Sequence, residues 1–169
     1  FIIMAAVLIA GVAKADFTLS GNEELVLDNT SSGGTHTQGT LYDVSQLSIS
    51  YGGISFLNLY DTSFAEISGQ GSPYQATVSQ IRAYDFSTVS ILGNPSRPNE
   101  VYAYNNSIVN ITQTGVNSLY THDTSTVNMS RGQVRDNLDV YGNSILNITN
   151  TASVNATINV WGTSIVNFY

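Results

Sequence analysis

Pairs of apolar residues two positions apart, with a polar residue between them, recur along this chain about every twenty residues. Counting from a recurrent serine as zero, position +2 holds Leu47, Ala65, Val89, Val109, Val127, Leu146 and Val166. Position +4 holds Ile49, Ile67, Ile91, Ile111, Met129, Ile148 and Phe168. The position between is polar throughout: Ser48, Glu66, Ser90, Asn110, Asn128, Asn147 and Asn167. A period of two with β-branched residues dominant predicts a strand with one buried face. A second set of strands precedes these, in LNLY, IRAY, VYAY, LYTH, LDVY and INVW. A third, isolated apolar point follows, at Ile54, Val78, Val116, Val134 and Val154, so two or three short strands are expected per repeat.

The strand sets are joined by a four-residue unit: a ring residue, then Asp, Asn or Gly, then any residue, then Ser. The ring residues are Tyr42, Tyr60, Tyr84, Tyr104, His122, Tyr141 and Trp161, spaced 18, 24, 20, 18, 19 and 20 residues apart. A short fixed period implies stacking, because one unit cannot cover its own apolar face. The fold class is therefore all-β: a single-stranded parallel β-helix (β-solenoid) of about seven coils of 18–24 residues. Variable coil length and the lack of a hexapeptide favour a right-handed winding, the hand of nearly all connections between parallel strands. The serines, Ser45, Ser63, Ser87, Ser107, Ser125, Ser144 and Ser164, are in phase with the buried positions and are expected to point inward at a bend. The Asn column is expected to carry amide hydrogen bonds along the axis.

Residues 16–40 do not match the repeat and are read as an N-terminal cap on repeats spanning 41–169. Two longer excursions, 69–77 and 93–100, contain all three prolines and are expected to leave the solenoid as loops on one side. Residues 1–15, FIIMAAVLIAGVAKA, form an apolar run ending in an A-x-A site, the pattern of a signal peptide cleaved before Asp16. The run is too short to span a membrane comfortably. The chain opens on Phe1 without a basic flank and ends in mid-turn at Asn167-Phe168-Tyr169. Further residues are expected at both ends, and an open β edge at the C-terminus would invite end-to-end or edge pairing.

Only 10% of residues are charged, and Ser, Thr, Asn, Gly and Tyr stand where charges usually are. The net charge is −7, with Arg82, Arg97, Arg131 and Arg135 the only strong cations besides Lys14. No basic stripe is present, which argues against nucleic acid and anionic lipid surfaces as partners. The chain has no cysteine, so disulfides, thiolate metal sites and cysteine catalysis are excluded.

Candidate chemistry is sparse. Asp43, Asp61, Asp85 and Asp123 share a column with Asn105, Gly142 and Gly162, an exchange typical of a turn rather than of a calcium ladder. One carboxylate per coil is unlike an active site, so no catalytic residue is assigned. His36 and His122 have no second ligand at metal spacing, and no metal or cofactor is expected. Sequons at Asn29, Asn105, Asn110, Asn128, Asn147 and Asn155 follow from the abundance of Asn, Ser and Thr. The ring column, Tyr42, Tyr60, Tyr84, Tyr104, His122, Tyr141 and Trp161, supports two readings: rings packed on one another, or a surface on which glycans stack.

At YNNSIVNIT, HDTSTVNMS and YGNSILNIT, and in MAAVLIAGVAKADFTLSGNEEL, the chain resembles secreted bacterial solenoid proteins of the PEP-CTERM-sorted type. That resemblance implies export to the cell surface or extracellular matrix and brings no catalytic residues. The leading expectation is a non-enzymatic, adhesin-like structural rod whose partners are extracellular polysaccharide or cell-surface components. A carbohydrate-binding module using the ring column is the alternative, and a polysaccharide-active β-helix enzyme is a third.

Overall fold

The computed structural model describes residues 16–28, 35–69, 75–93, 95–149 and 152–169. Among them are 17 strands and no helix. The segment 1–15 and most of the first proline excursion, including Pro73, lie outside the described residues.

The strands alternate between two sheets. One sheet orders β1 (Phe17–Leu19), β3 (Thr35–Leu41), β5 (Gly52–Leu59), β7 (Ala76–Ala83), β9 (Glu100–Ala103), β11 (Val116–Thr121) and β13 (Gln133–Val140), with β15 (Ser153–Val154) and β16 (Thr157–Val160) both pairing with β13. The other runs β2 (Glu24–Leu27), β4 (Gln46–Ile49), β6 (Phe64–Gly69), β8 (Thr88–Gly93), β10 (Ile108–Thr112), β12 (Thr126–Ser130), β14 (Ile145–Thr149) and β17 (Ile165–Phe168). Every pairing is parallel and joins one coil to the next. This is the expected β-solenoid, with about seven turns stacked along one axis.

Each coil holds two strands rather than three. The isolated apolar points Ile54, Val78, Val116 and Val134 belong to the long strands β5, β7, β11 and β13. Only in the last coil does a break separate Val154 in β15 from β16. An extra residue in β13 shifts its pairing with β11 from Val116↔Val134 to Ser118↔Asn137, a bulge that the two apolar points straddle.

The two sheets enclose one apolar interior. Leu47, Ala65, Val89, Val109, Val127 and Leu146 are fully buried and lie in register above one another, as do Leu41, Leu57–Leu59 and Ile81–Ala83 on the facing sheet. Burying each larger side chain contributes roughly 1.5–3 kcal/mol, and only a stack of coils removes both its upper and lower faces from water. In the last coil, covered on one side, Ile158 and Val160 are 39% and 47% exposed.

Outside the sheets the same register continues. Asn128 Nδ2 donates to Asn110 Oδ1 at 3.0 Å, Asn147 Nδ2 to Asn128 Oδ1 at 2.9 Å and Asn167 Nδ2 to Asn147 Oδ1 at 2.9 Å. The expected amide ladder is therefore present, and it occupies the amide nitrogens of the Asn128 and Asn147 sequons.

Two parts of the chain fit the solenoid more closely than the sequence pattern predicts. Residues 16–28 already follow a coil's path: β1 pairs with β3, β2 pairs with β4, and Ser20-Gly21-Asn22-Glu23 stands where later coils carry the ring-to-serine unit. The expectation that 93–100 loops out is not met from Pro95 onward. Pro95 and Pro98 are buried, and the wall continues through Ser96 N–H to Ala76 O, Asn99 N–H to Ser79 O and Asn117 N–H to Pro98 O at 2.8–3.0 Å. The prolines sit where the neighbouring coil takes its bonds from the residues beside them, so their missing N–H groups cost the ladder nothing.

The serine column points inward, and Ser45, Ser63, Ser87, Ser107, Ser125 and Ser144 are fully buried. Each backbone N–H closes its corner on the ring residue's carbonyl three positions earlier, at 3.0–3.4 Å. The hydroxyls differ. Ser45 and Ser144 donate to the same carbonyl at 2.7 Å, and Ser144 also meets Thr121 Oγ1 at 3.0 Å. Ser63, Ser87 and Ser107 Oγ are buried without a hydrogen-bond partner. Replacing Ser87 by Ala should therefore be neutral or stabilising, whereas Ser144→Ala should lose about 0.5–1.5 kcal/mol in urea unfolding. Equal losses at the two positions would refute a bonded and an unbonded hydroxyl in one column.

Candidate functional site

The corner between the sheets concentrates most of the distinctive side chains. Its second residue adopts a left-handed backbone in every coil: Asp43, Asp61, Asp85, Asn105 and Asp123 have φ of 54–59°, and Gly21, Gly142 and Gly162 have φ of 65–75°. Asp, Asn and Gly are the residues that tolerate this conformation best, which explains the exchange along the column. At Gly142 an added Cβ would also come within 2.9 Å of Asp123 O.

The aspartates have a second task. Gly21 N–H donates to Asp43 Oδ2 at 3.0 Å, Asp43 N–H to Asp61 Oδ2 at 3.1 Å, Asp61 N–H to Asp85 Oδ2 at 3.4 Å and Asn105 N–H to Asp123 Oδ2 at 3.1 Å. Each carboxylate thus accepts the corner N–H of the preceding coil. Asn105 Nδ2 reaches Asp85 Oδ1 at 3.0 Å, linking the series across the coil that lacks an Asp. The acids are engaged by backbone, and no group of three or more His, Cys, Asp or Glu able to hold a metal occurs among the described residues.

The corner's first residue supplies the ring column. Centroids of Tyr42, Tyr60, Tyr84, Tyr104, His122, Tyr141 and Trp161 follow one another at 4.4–5.0 Å with interplanar angles of 2–17°. The parallel register dictates this spacing, since strands repeat at about 4.8 Å. Each interior ring therefore has both faces covered by its neighbours. A sugar can stack face-on only at the two ends, on Tyr42 or Trp161; elsewhere the column offers ring edges. Of the two readings of the column, mutual packing is the one its geometry realises.

Burial within the stack pushes the Tyr60 and Tyr104 phenols up and holds the His122 imidazole below its ordinary value of 6.5, against the opposing pull of Asp123 and Asp139. Beside the column, Tyr102 stacks on Tyr120 at 4.6 Å, and the Arg82 guanidinium lies 5.7 Å from the Tyr102 ring centre. Burial and the neighbouring Glu100 carboxylate raise the Tyr102 phenol to about 12. His36, by contrast, is buried against the Phe17 ring, edge to face at 5.3 Å, far from the column.

The sequence pattern misses the opposite edge. There Arg97, Arg131 and several glutamines line an open groove of about 650 Å³. Arg97 lies 34 residues before Arg131, and nothing in the repeat marks either of them. Acids of the ring corner and arginines of this edge are thus kept on opposite sides of the solenoid.

No family model matches the chain, and no curated protein or solved structure is detectably similar to it.

Two expectations follow from the ring column. Tyr104→Ala removes two stacked contacts and should destabilise the fold by about 2–4 kcal/mol, counting roughly 0.5–1.5 per contact plus lost burial; Trp161→Ala, with one stacked neighbour, should cost less in the same denaturation experiment. The second concerns pH. Because folding lowers the His122 pKa, its neutral form contributes stability that is full above about pH 6.5 and is lost as pH falls through the lower folded value. The stability gap between His122→Tyr and the wild type should therefore shift in favour of the variant between about pH 7 and pH 5. Parallel pH profiles would contradict this.

Proposed function

We propose that this protein is a non-enzymatic, exported surface or matrix protein whose stacked coils act as a rigid, adhesin-like rod. One observation carries the reading: the side-chain chemistry is spent evenly along the axis. Rings contact rings, amides contact amides, and carboxylates hold the corner N–H groups of the next coil, from the first described coil to the last. Such a structure resists bending and extension because each coil is tied to its neighbours at both sheets and at the corner. About seven coils at roughly 4.8 Å give a body on the order of 30 Å long.

The export half of the proposal rests on the apolar segment ending in Ala13-Lys14-Ala15 and on the resemblance to sorted bacterial solenoids. Among the described residues no helix is long and apolar enough to cross a membrane. Produced in a Gram-negative host with a C-terminal tag, the protein should appear outside the cytoplasm with Asp16 as its first residue, and antibody should label it on intact cells or in the medium. Cytoplasmic retention with residues 1–15 still attached would defeat the proposal.

A further inference from the structure

Three of the five Lys and Arg residues of this acidic chain converge on the edge opposite the ring corner. Arg97 comes from the connection between β8 and β9, Arg131 from the bend between β12 and β13, and Arg135 from β13 itself. Arg97 and Arg131 line the groove, while Arg97 Nη1 and Arg135 Nε both donate to Gln133 Oε1, at 3.4 and 3.0 Å. A neutral amide oxygen satisfies one donor of each guanidinium but none of the charge, and each guanidinium has five donors. Burial and the nearby Arg135 lower the Arg97 pKa, the mark of a cation held close to another cation.

The backbone is shaped around these groups. Among the described residues, the only non-glycine left-handed conformations outside the ring corner are Gln113, with φ of 66°, and Arg131, with φ of 58°, and both line the groove. Neither residue type is favoured there, and such strain costs of order 1 kcal/mol or more. Under them lie two glycines whose space is already taken. A Cβ on Gly132 would come within 1.9 Å of Thr114 O, and one on Gly115 within 2.5 Å of Gln133 O and 2.9 Å of Arg97 Cζ. Gly115 thus makes room for the Arg97 guanidinium to lie against the wall.

We infer that this groove binds the acid groups, carboxylate or sulfate, of an acidic polysaccharide. The planar guanidinium of Arg97 and that of Arg131 would take the acid groups in two-pronged fashion, and the Gln113 and Gln133 amides would meet sugar hydroxyls. The choice of ligand follows from charge and shape. A net charge of −7 repels a polymer as densely charged as nucleic acid, and no aromatic ring lines the groove for a base to stack on. A sugar acid brings one or two charges per residue together with hydroxyls suited to amides. The inference does not depend on the rod proposal, because the groove's chemistry is the same wherever the protein resides.

Titration calorimetry on the full chain at low salt tests it. The probes are tetragalacturonate, its methyl ester, a sulfated tetrasaccharide and a single-stranded oligonucleotide. Binding of tetragalacturonate, of the sulfated tetrasaccharide or of both is expected, weakening with added salt, with none of the methyl ester. Arg97→Gln combined with Arg131→Gln should weaken it roughly tenfold or more. Arg131→Gln alone, at an exposed position, should weaken it with an unchanged melting temperature, and Arg82→Gln, on the other edge, should leave it unaltered. Failure to bind either acidic glycan, equal binding of the ester, preference for the oligonucleotide, or indifference to Arg131→Gln would overturn the inference.

Discussion

The parallel register between successive coils governs everything else in this molecule. Hydrogen bonds between equivalent strands set a repeat of about 4.8 Å and place each residue over its counterpart one coil away. Rings therefore meet rings at 4.4–5.0 Å, and Asn110, Asn128, Asn147 and Asn167 meet one another as a ladder. Insertions are absorbed at bends, as between Tyr60 and Tyr84, without disturbing the strands that follow.

Such a register rewards residues that interact well with copies of themselves. Amides donate and accept, aromatic rings stack, and apolar residues pack. Like charges one coil apart repel by about 1 kcal/mol even in water. That selection accounts for a charged content of only 10%. Acids persist in consecutive coils mainly at Asp43, Asp61 and Asp85, where the left-handed backbone favours Asp and each carboxylate faces a backbone N–H that offsets the repulsion. The serine column obeys a different limit, set by size. Its corner admits a hydroxymethyl group whether or not the hydroxyl finds a partner, as Ser87 and Ser144 show.

The arginine edge departs from this logic. Arg97, Arg131 and Arg135 occupy no common column, and the strained Gln113 and Arg131 backbones appear only where the bends come together. A groove assembled from unequal pieces of neighbouring coils is where the repeat stops dictating chemistry and a specific site becomes possible.

The sequence by itself determined the strands, their inward faces, the stacking of coils and the Asn ladder, because a two-residue alternation repeated at a steady period leaves few other ways to bury the apolar positions. It also determined the corner, since Asp, Asn and Gly exchanging at one place mark a left-handed backbone. The coil at residues 16–28 was hidden because Ser20 and Glu23 replace the ring and the serine while Gly21 keeps the turn. The number of strands per coil, the path of Pro95 to Asn99 along the wall, and the convergence of three arginines were decided only in three dimensions. Each depends on which residues of adjacent coils come to lie side by side at the bends, and coil lengths that vary from 18 to 24 residues leave that alignment open until the whole stack is formed.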